Sequence, residues 1–208
     1  MSEHHRVDAA VEHIVRVDRA YARVVEAVGP FNPRPPQADA FNALARAILY
    51  QQLAGRAAQA IHGRFLALFD GHPTAEGVLH TPYDRLRAVG LSNAKAASIL
   101  DLAATCSDGT VPLDLLAELP DAEIVGRLTA VRGVGRWTAE MFLLFQLRRL
   151  DVWPVDDLAV RKGFAVIHRL PEPPRPRELD AAGEIYRPYR SVAAWYCWRA
   201  TDTVLPEG

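Results

Sequence analysis

Two cysteines, Cys106 and Cys197, are all the thiols in 208 residues. They lie far apart and show no metal-type spacing. Neither a zinc site nor a disulfide framework is indicated, and both are expected as small buried hydrophobes. No apolar run is long enough to cross a bilayer. The opening stretch MSEHHRVDAAVEHIVRVDRA lacks the apolar core of a signal peptide, so the chain reads as cytoplasmic. A strong charge of either sign is missing too, the formal net charge being −1. That counts against a coat for long nucleic acid but leaves room for a small footprint, because local charge sets the attraction. Arg132, Arg136, Arg161 and Lys162 would have to supply it. Strand-like alternation is absent as well. With 50% hydrophobic and 24% charged residues, the chain is expected to be all-α, with a sizeable core.

Proline and glycine cut the helical pattern into segments. Residues 6–28 mix charge with Val, Ile and Ala at helical spacing and predict one surface helix ending at Gly29-Pro30. Pro33, Pro35 and Pro36 deny a helix to residues 31–37, the best candidate for a crossing between lobes. Residues 39–68 predict two helices joined near Ala54-Gly55, with Leu44, Ile48 and Leu49 facing a core. Gln51 and Gln52 are polar where that apolar face should continue. Short helical turns are expected at 75–80 and 83–89. Gly90 and Ser92 read as a C-cap and an N-cap within 86–103, a weaker echo of a helical hairpin. Its Lys95 is either solvated or placed for a phosphate. A polar turn and a short apolar run fill 107–119. After Leu170 a proline-rich loop precedes another helix start, and 186–202 reads as the last helix, its aromatics mostly core.

The densest signal is PDAEIVGRLTAVRGVGRWTAEMFLLFQLRRLDVWPVDDLAVRKG at 120–163. Pro120, Asp121 and Glu123 suit a helix start. Ile124, Val125, Leu128 and Val131 then recur at helical spacing. Arg132-Gly133-Val134-Gly135 breaks the pattern, the two glycines allowing positive φ and close backbone approach. Residues 137–147 are apolar almost all round, as a buried helix would be. Such a turn leaves backbone N–H groups directed outward at the start of the second helix, where they can hold a phosphate; an ordinary packing corner gives the same pattern. Asp156 is expected near the next helix N-cap and Asp157 in its first turn.

GVGRWTAEMF followed by VWPVDDLAVRKG, together with the C-terminal YRPYRS, resembles the helix–hairpin–helix DNA glycosylase superfamily. The resemblance is closest to the DNA-3-methyladenine glycosylase II (alkylation-repair) branch and runs from about Phe41 to Arg199. It implies two helical lobes in a single unit over 1–208, with the active-site cleft between them. Lobe A would be 40–150, containing the hairpin at 124–147, and lobe B 1–39 plus 151–208. The compact form, without an extra N-terminal β domain, is expected.

The resemblance also implies roles. Such enzymes take the target base out of the duplex before cleaving its N-glycosidic bond. The family's catalytic aspartate falls on Asp157, where a carboxylate can stabilise the positive sugar and orient or deprotonate a water. The position of the lysine nucleophile of strand-nicking relatives holds Trp137, which implies a monofunctional glycosylase using water. The iron–sulfur branch needs four cysteines. Trp137 and Trp198 match positions that line the base pocket, with Met141 one turn beyond Trp137. Indole faces attract the cationic rings of alkylated purines such as 3-methyladenine and 7-methylguanine. Gln52, with Leu53 as the alternative, falls where a side chain plugs the gap left by the everted base. Arg132, Gly133, Val134, Gly135 and Arg136 would grip DNA. Carbonyls of Thr129, Val131 and Gly133 match those that hold Na+ or K+ in some members; no other cofactor is expected. The implied partner is damaged double-stranded DNA, met by a monomer without a membrane. A glycosylase for deaminated or oxidised bases, or a non-catalytic DNA-binding module, remain the alternatives.

Overall fold

A computed structural model describes residues 3–53 and 55–203. It contains no strand among those residues, and no described helix is long and apolar enough to cross a membrane. The chain is all-α and divides into two compact units, one made of 1–34 with 148–208 and the other of 35–147.

Among the described residues the unit 35–147 holds seven α-helices. These are α3 (Ala40–Tyr50), α4 (Gly55–Ala67), α5 (Ala75–Leu79), α6 (Tyr83–Ala88), α7 (Asn93–Ser107), α8 (Asp121–Thr129) and α9 (Arg136–Phe145). Local capping chemistry sets many of the starts. Asp39, Thr74 and Ser92 each accept a backbone N–H three residues on, from Asn42, Gly77 and Lys95. Leu44, Ile48 and Leu49 of α3 are buried, as their spacing predicts. The corner expected near Ala54-Gly55 falls partly outside the described residues, because Ala54 is not among them.

The other unit holds α1 (Glu3–Val17), α2 (Tyr21–Val28), α10 (Leu158–His168), α11 (Pro176–Gly183) and α12 (Arg190–Asp202). The single helix expected over 6–28 is two. Asp18 breaks it: its Oδ1 accepts from the Ala20 N–H, and its Oδ2 accepts from the Tyr186 hydroxyl and binds His168 Nε2. The last helix begins at Arg190 rather than 186, because Pro188, after a cis bond, has no N–H to continue one. The aromatics around it are largely core, with Tyr186 and Tyr196 fully enclosed. They pack with Tyr21, Val160, Phe164 and Leu179 in one cluster. α10 and α12 meet at Gly163, whose missing side chain lets the Cys197 backbone close in. Cys197 is buried against the Tyr21 hydroxyl, and Cys106 is half-buried.

Candidate active site

Asp157 is placed by a loop with little freedom. Trp153 is buried and donates its indole N–H to the Leu179 carbonyl at 2.9 Å. Its ring leaves no room for a side chain at Gly183. The N–H groups of Val155 and Asp157 fold back onto the carbonyls of Trp153 and Pro154. This turn presents Asp157, not Asp156, as the N-cap of α10. Its Oδ1 accepts from the N–H groups of Ala159 (2.8 Å) and Val160 (2.9 Å). Asp156 lies in the turn before it, exposed. The physical reason is Pro154, which shapes the turn so that the second acid arrives first at the open N–H groups. Asp157 keeps 8% of its surface exposed.

The YRPYRS segment braces that loop. Arg190 grips the Asp151 carboxylate through Nε (2.7 Å) and Nη2 (3.1 Å), and Arg187 adds Nη1 at 2.7 Å. Ser191 donates its hydroxyl to the Arg149 carbonyl and accepts from the Val152 N–H. The two halves of the motif, WPVDD and YRPYRS, are therefore one construction: the second fixes the first by charge-assisted bonds. Trp198 is half-buried on the same helix α12, next to Cys197. Burial pushes the Cys197 thiol up to about 12, so it supplies no thiolate nucleophile.

The hairpin forms the exposed corner of the other unit. Val131 and Val134 are buried and anchor it, while Arg132, Gly133, Gly135, Arg136 and Trp137 are exposed. Only Gly133 takes a positive φ, 77°. Gly135 lies at −90° as the N-cap of α9, and its want of a side chain leaves the first turn of that helix uncapped. The outward N–H groups are fewer than the glycine pattern suggests: Arg132 N–H turns inward to Asp101 Oδ2 at 2.7 Å, and Val134 N–H bonds the Val131 carbonyl. α9 is not buried all round. Residues 138–144 are enclosed, but Trp137 is 46% exposed and Arg136 reaches outward, held by buried Glu140 at 2.9 Å. Met141, one turn on, is nearly buried.

Gln52 and Leu53 are both exposed at the turn after α3. Gln51 is bound inward, its amide donating to the Gly133 carbonyl at 2.9 Å. Lys95 is half-buried and does not stand free in solvent, because its ammonium donates to the Leu49 and Gln51 carbonyls. Asp157 and Trp198 thus belong to one unit; Trp137, Met141, the hairpin, Gln52 and Leu53 belong to the other. Sequence reasoning missed Lys95, Ser98 and Asp101 as supports. Their three-residue spacing on a helix whose other face is apolar was the available signal. Among the described residues no cluster of His, Cys, Asp or Glu could hold a metal ion.

Residues 45–188 match the family model described as HhH-GPD superfamily base excision DNA repair protein. DNA-3-methyladenine glycosylase 1 of Schizosaccharomyces pombe is 37% identical over 91% of this chain and 85% of its own length. The structure of the S. pombe 3-methyladenine DNA glycosylase Mag1 in complex with abasic DNA superposes with a TM-score of 0.82, covering 91% of this chain and 95% of that one. A DNA-3-methyladenine glycosidase from Bacillus halodurans is 31% identical, with a TM-score of 0.84 over 92% and 88% of the two chains. On its sequence and its helical fold alike, the chain belongs to the HhH-GPD superfamily of base excision DNA repair proteins.

Proposed function

We propose that this protein is a monofunctional DNA glycosylase that excises alkylated purines of the 3-methyladenine and 7-methylguanine type. The observation that carries the reading is Asp157, a carboxylate fixed by two backbone N–H groups at a helix start inside the matched family region. The substrate class follows from the relatives, whose names specify 3-methyladenine.

In this reading the hairpin turn and Arg136 hold a phosphate, Gln52 or Leu53 fills the gap, and indole faces meet the everted cationic base. As the C1′–N bond breaks, its electron pair moves to the cationic base, which leaves neutral. Asp157 stabilises the positive sugar and takes the proton of the water that adds to C1′, giving an abasic site. Trp137 has no amine, so no Schiff base forms there and the strand stays intact. The protein acts alone on damaged duplex, in the compartment that holds the DNA.

The turn carbonyls also suit a monovalent cation. Those of Val131 and Gly133 each accept one internal bond, from Val134 N–H and Gln51 Nε2, and keep a second lone pair. With Thr129 they would place positive charge between the turn and a phosphate.

A panel of duplexes carrying 3-methyladenine, 7-methylguanine, uracil, hypoxanthine or an oxidised base tests the reading. Release of the methylated purines alone, with no nicked strand, is the expected result. Release of uracil or hypoxanthine in preference would overturn the substrate class, and binding without release would leave only a DNA-binding module.

A further inference from the structure

α7 presents Lys95, Ser98 and Asp101 at three-residue spacing, and each touches one of two exposed turns in the unit 35–147. The Lys95 ammonium donates to the carbonyls of Leu49 at 2.5 Å and Gln51 at 2.8 Å, at the C-terminal end of α3. A cation there satisfies carbonyls that the helix leaves open and faces the negative end of its dipole. Just beyond, Gln52 lies at a φ of 55°, the left-handed region that glutamine seldom adopts. A glycine would take that φ with less strain. Glutamine keeps a long side chain at the tip of the turn, and Lys95 holds the turn in place.

The hairpin rests on the same face of α7. Ser98 Oγ lies 2.6 Å from where a side chain on Gly133 would begin, so it forms the floor of the turn. Asp101 Oδ2 takes the Arg132 N–H at 2.7 Å. Gln51 closes the circuit by donating to the Gly133 carbonyl. Partial burial lowers the Lys95 pKa.

We propose that Lys95, Ser98 and Asp101, with Gln51, are positioning residues that register the 51–53 turn against the hairpin turn, so that gripping a phosphate sets the height at which the plugging side chain enters the duplex. This rests on the reading of 51–53 as the plug. These residues touch neither base nor sugar, and their effect is on eversion.

The test uses the whole protein and a duplex carrying 7-methylguanine beside 2-aminopurine, whose fluorescence reports unstacking. Lys95→Met keeps the stem and removes the charge; Gln51→Leu removes the bridge at a surface turn where folding is not at risk. Both should bind undamaged duplex within about two-fold of the parent, while the fluorescence rise and single-turnover base release slow by about ten-fold or more. Asp101→Asn keeps an oxygen acceptor and should stay near the parent, whereas Asp101→Ala should fall with the others. Eversion at the parental rate in Gln51→Leu or a folded Lys95→Met overturns the inference. So does a loss in which binding, melting temperature and release decline in proportion, the pattern of mere structural support. Doubly substituted Gln52→Ala, Leu53→Ala protein separates the layers: parental eversion there removes the plug reading itself, whatever α7 does.

Discussion

Gly163 and Cys197 bring the backbones of α10 and α12 into contact: a Cβ on Gly163 would lie 1.8 Å from the Cys197 carbonyl oxygen. A backbone neighbour cannot rotate away, so Gly163→Ala must push the helices apart. Denaturant melts should show a loss of about 3 kcal/mol, near the upper end for overpacking. The helices carry Asp157 at one start and Trp198 beside Cys197, so base release should suffer more than the melt implies. A substitution that melts like the parent would mean the helices can slide.

In the proposed reading Asp157 caps α10 and serves the chemistry, two jobs that substitution can separate. Asparagine also caps helices well, so Asp157→Asn should stay within about 0.5 kcal/mol of the parent and bind duplex normally. Release of methylated purines should vanish. Asp157→Ala loses the cap as well, at a further cost of about 1 kcal/mol. Excision at the parental rate by the asparagine variant would remove Asp157 from the chemistry.

How much of this was legible beforehand varied with the physics of each element. The hairpin, the capping by Ser92 and the buried face of α3 follow from local periodicity and turn chemistry, which a sequence displays directly. The break at Asp18 does not, because it depends on Tyr186 and His168, more than a hundred residues away. The N-cap was placed one residue early for a related reason: two adjacent acids look alike until Pro154 and the buried Trp153 fix the turn. Trp137 opens a run that is apolar almost all round, yet it lies exposed, since apolar content alone does not tell a core position from a surface one.

Asp18 offers a pH test. Burial raises its carboxyl, but bonds with Tyr186, His168 and Ala20 outweigh that and hold it below the usual value. A carboxyl lowered in the folded state stabilises above its unfolded value, about pH 4, and that contribution is lost as pH falls through the folded one. Asp18→Asn should therefore cost about 1–3 kcal/mol at neutral pH. The gap from the parent should narrow below about pH 4 in urea melts repeated down the pH scale. A constant gap would assign the loss to packing.

Arg136 and Trp137 stand next to each other but should fail differently. Arg136→Ala is expected to weaken binding to any duplex and to reduce the salt slope by about one, as loss of one phosphate contact does. Trp137→Ala removes a half-exposed indole, so the melt should shift little. Release of cationic bases should drop by roughly three- to thirty-fold, the worth of one cation–π wall. Equal loss for neutral lesions would argue for a steric role.

The core that steadies Asp157 is stitched from both flanks of the chain: α1 and α2 on one side, α10 to α12 on the other, with 35–147 spooled out between them. A ribosome must therefore travel past Ala200 before that core has all its pieces. A chain interrupted after residue 147 therefore holds the whole of the unit 35–147 but only the first two helices of the unit that carries Asp157.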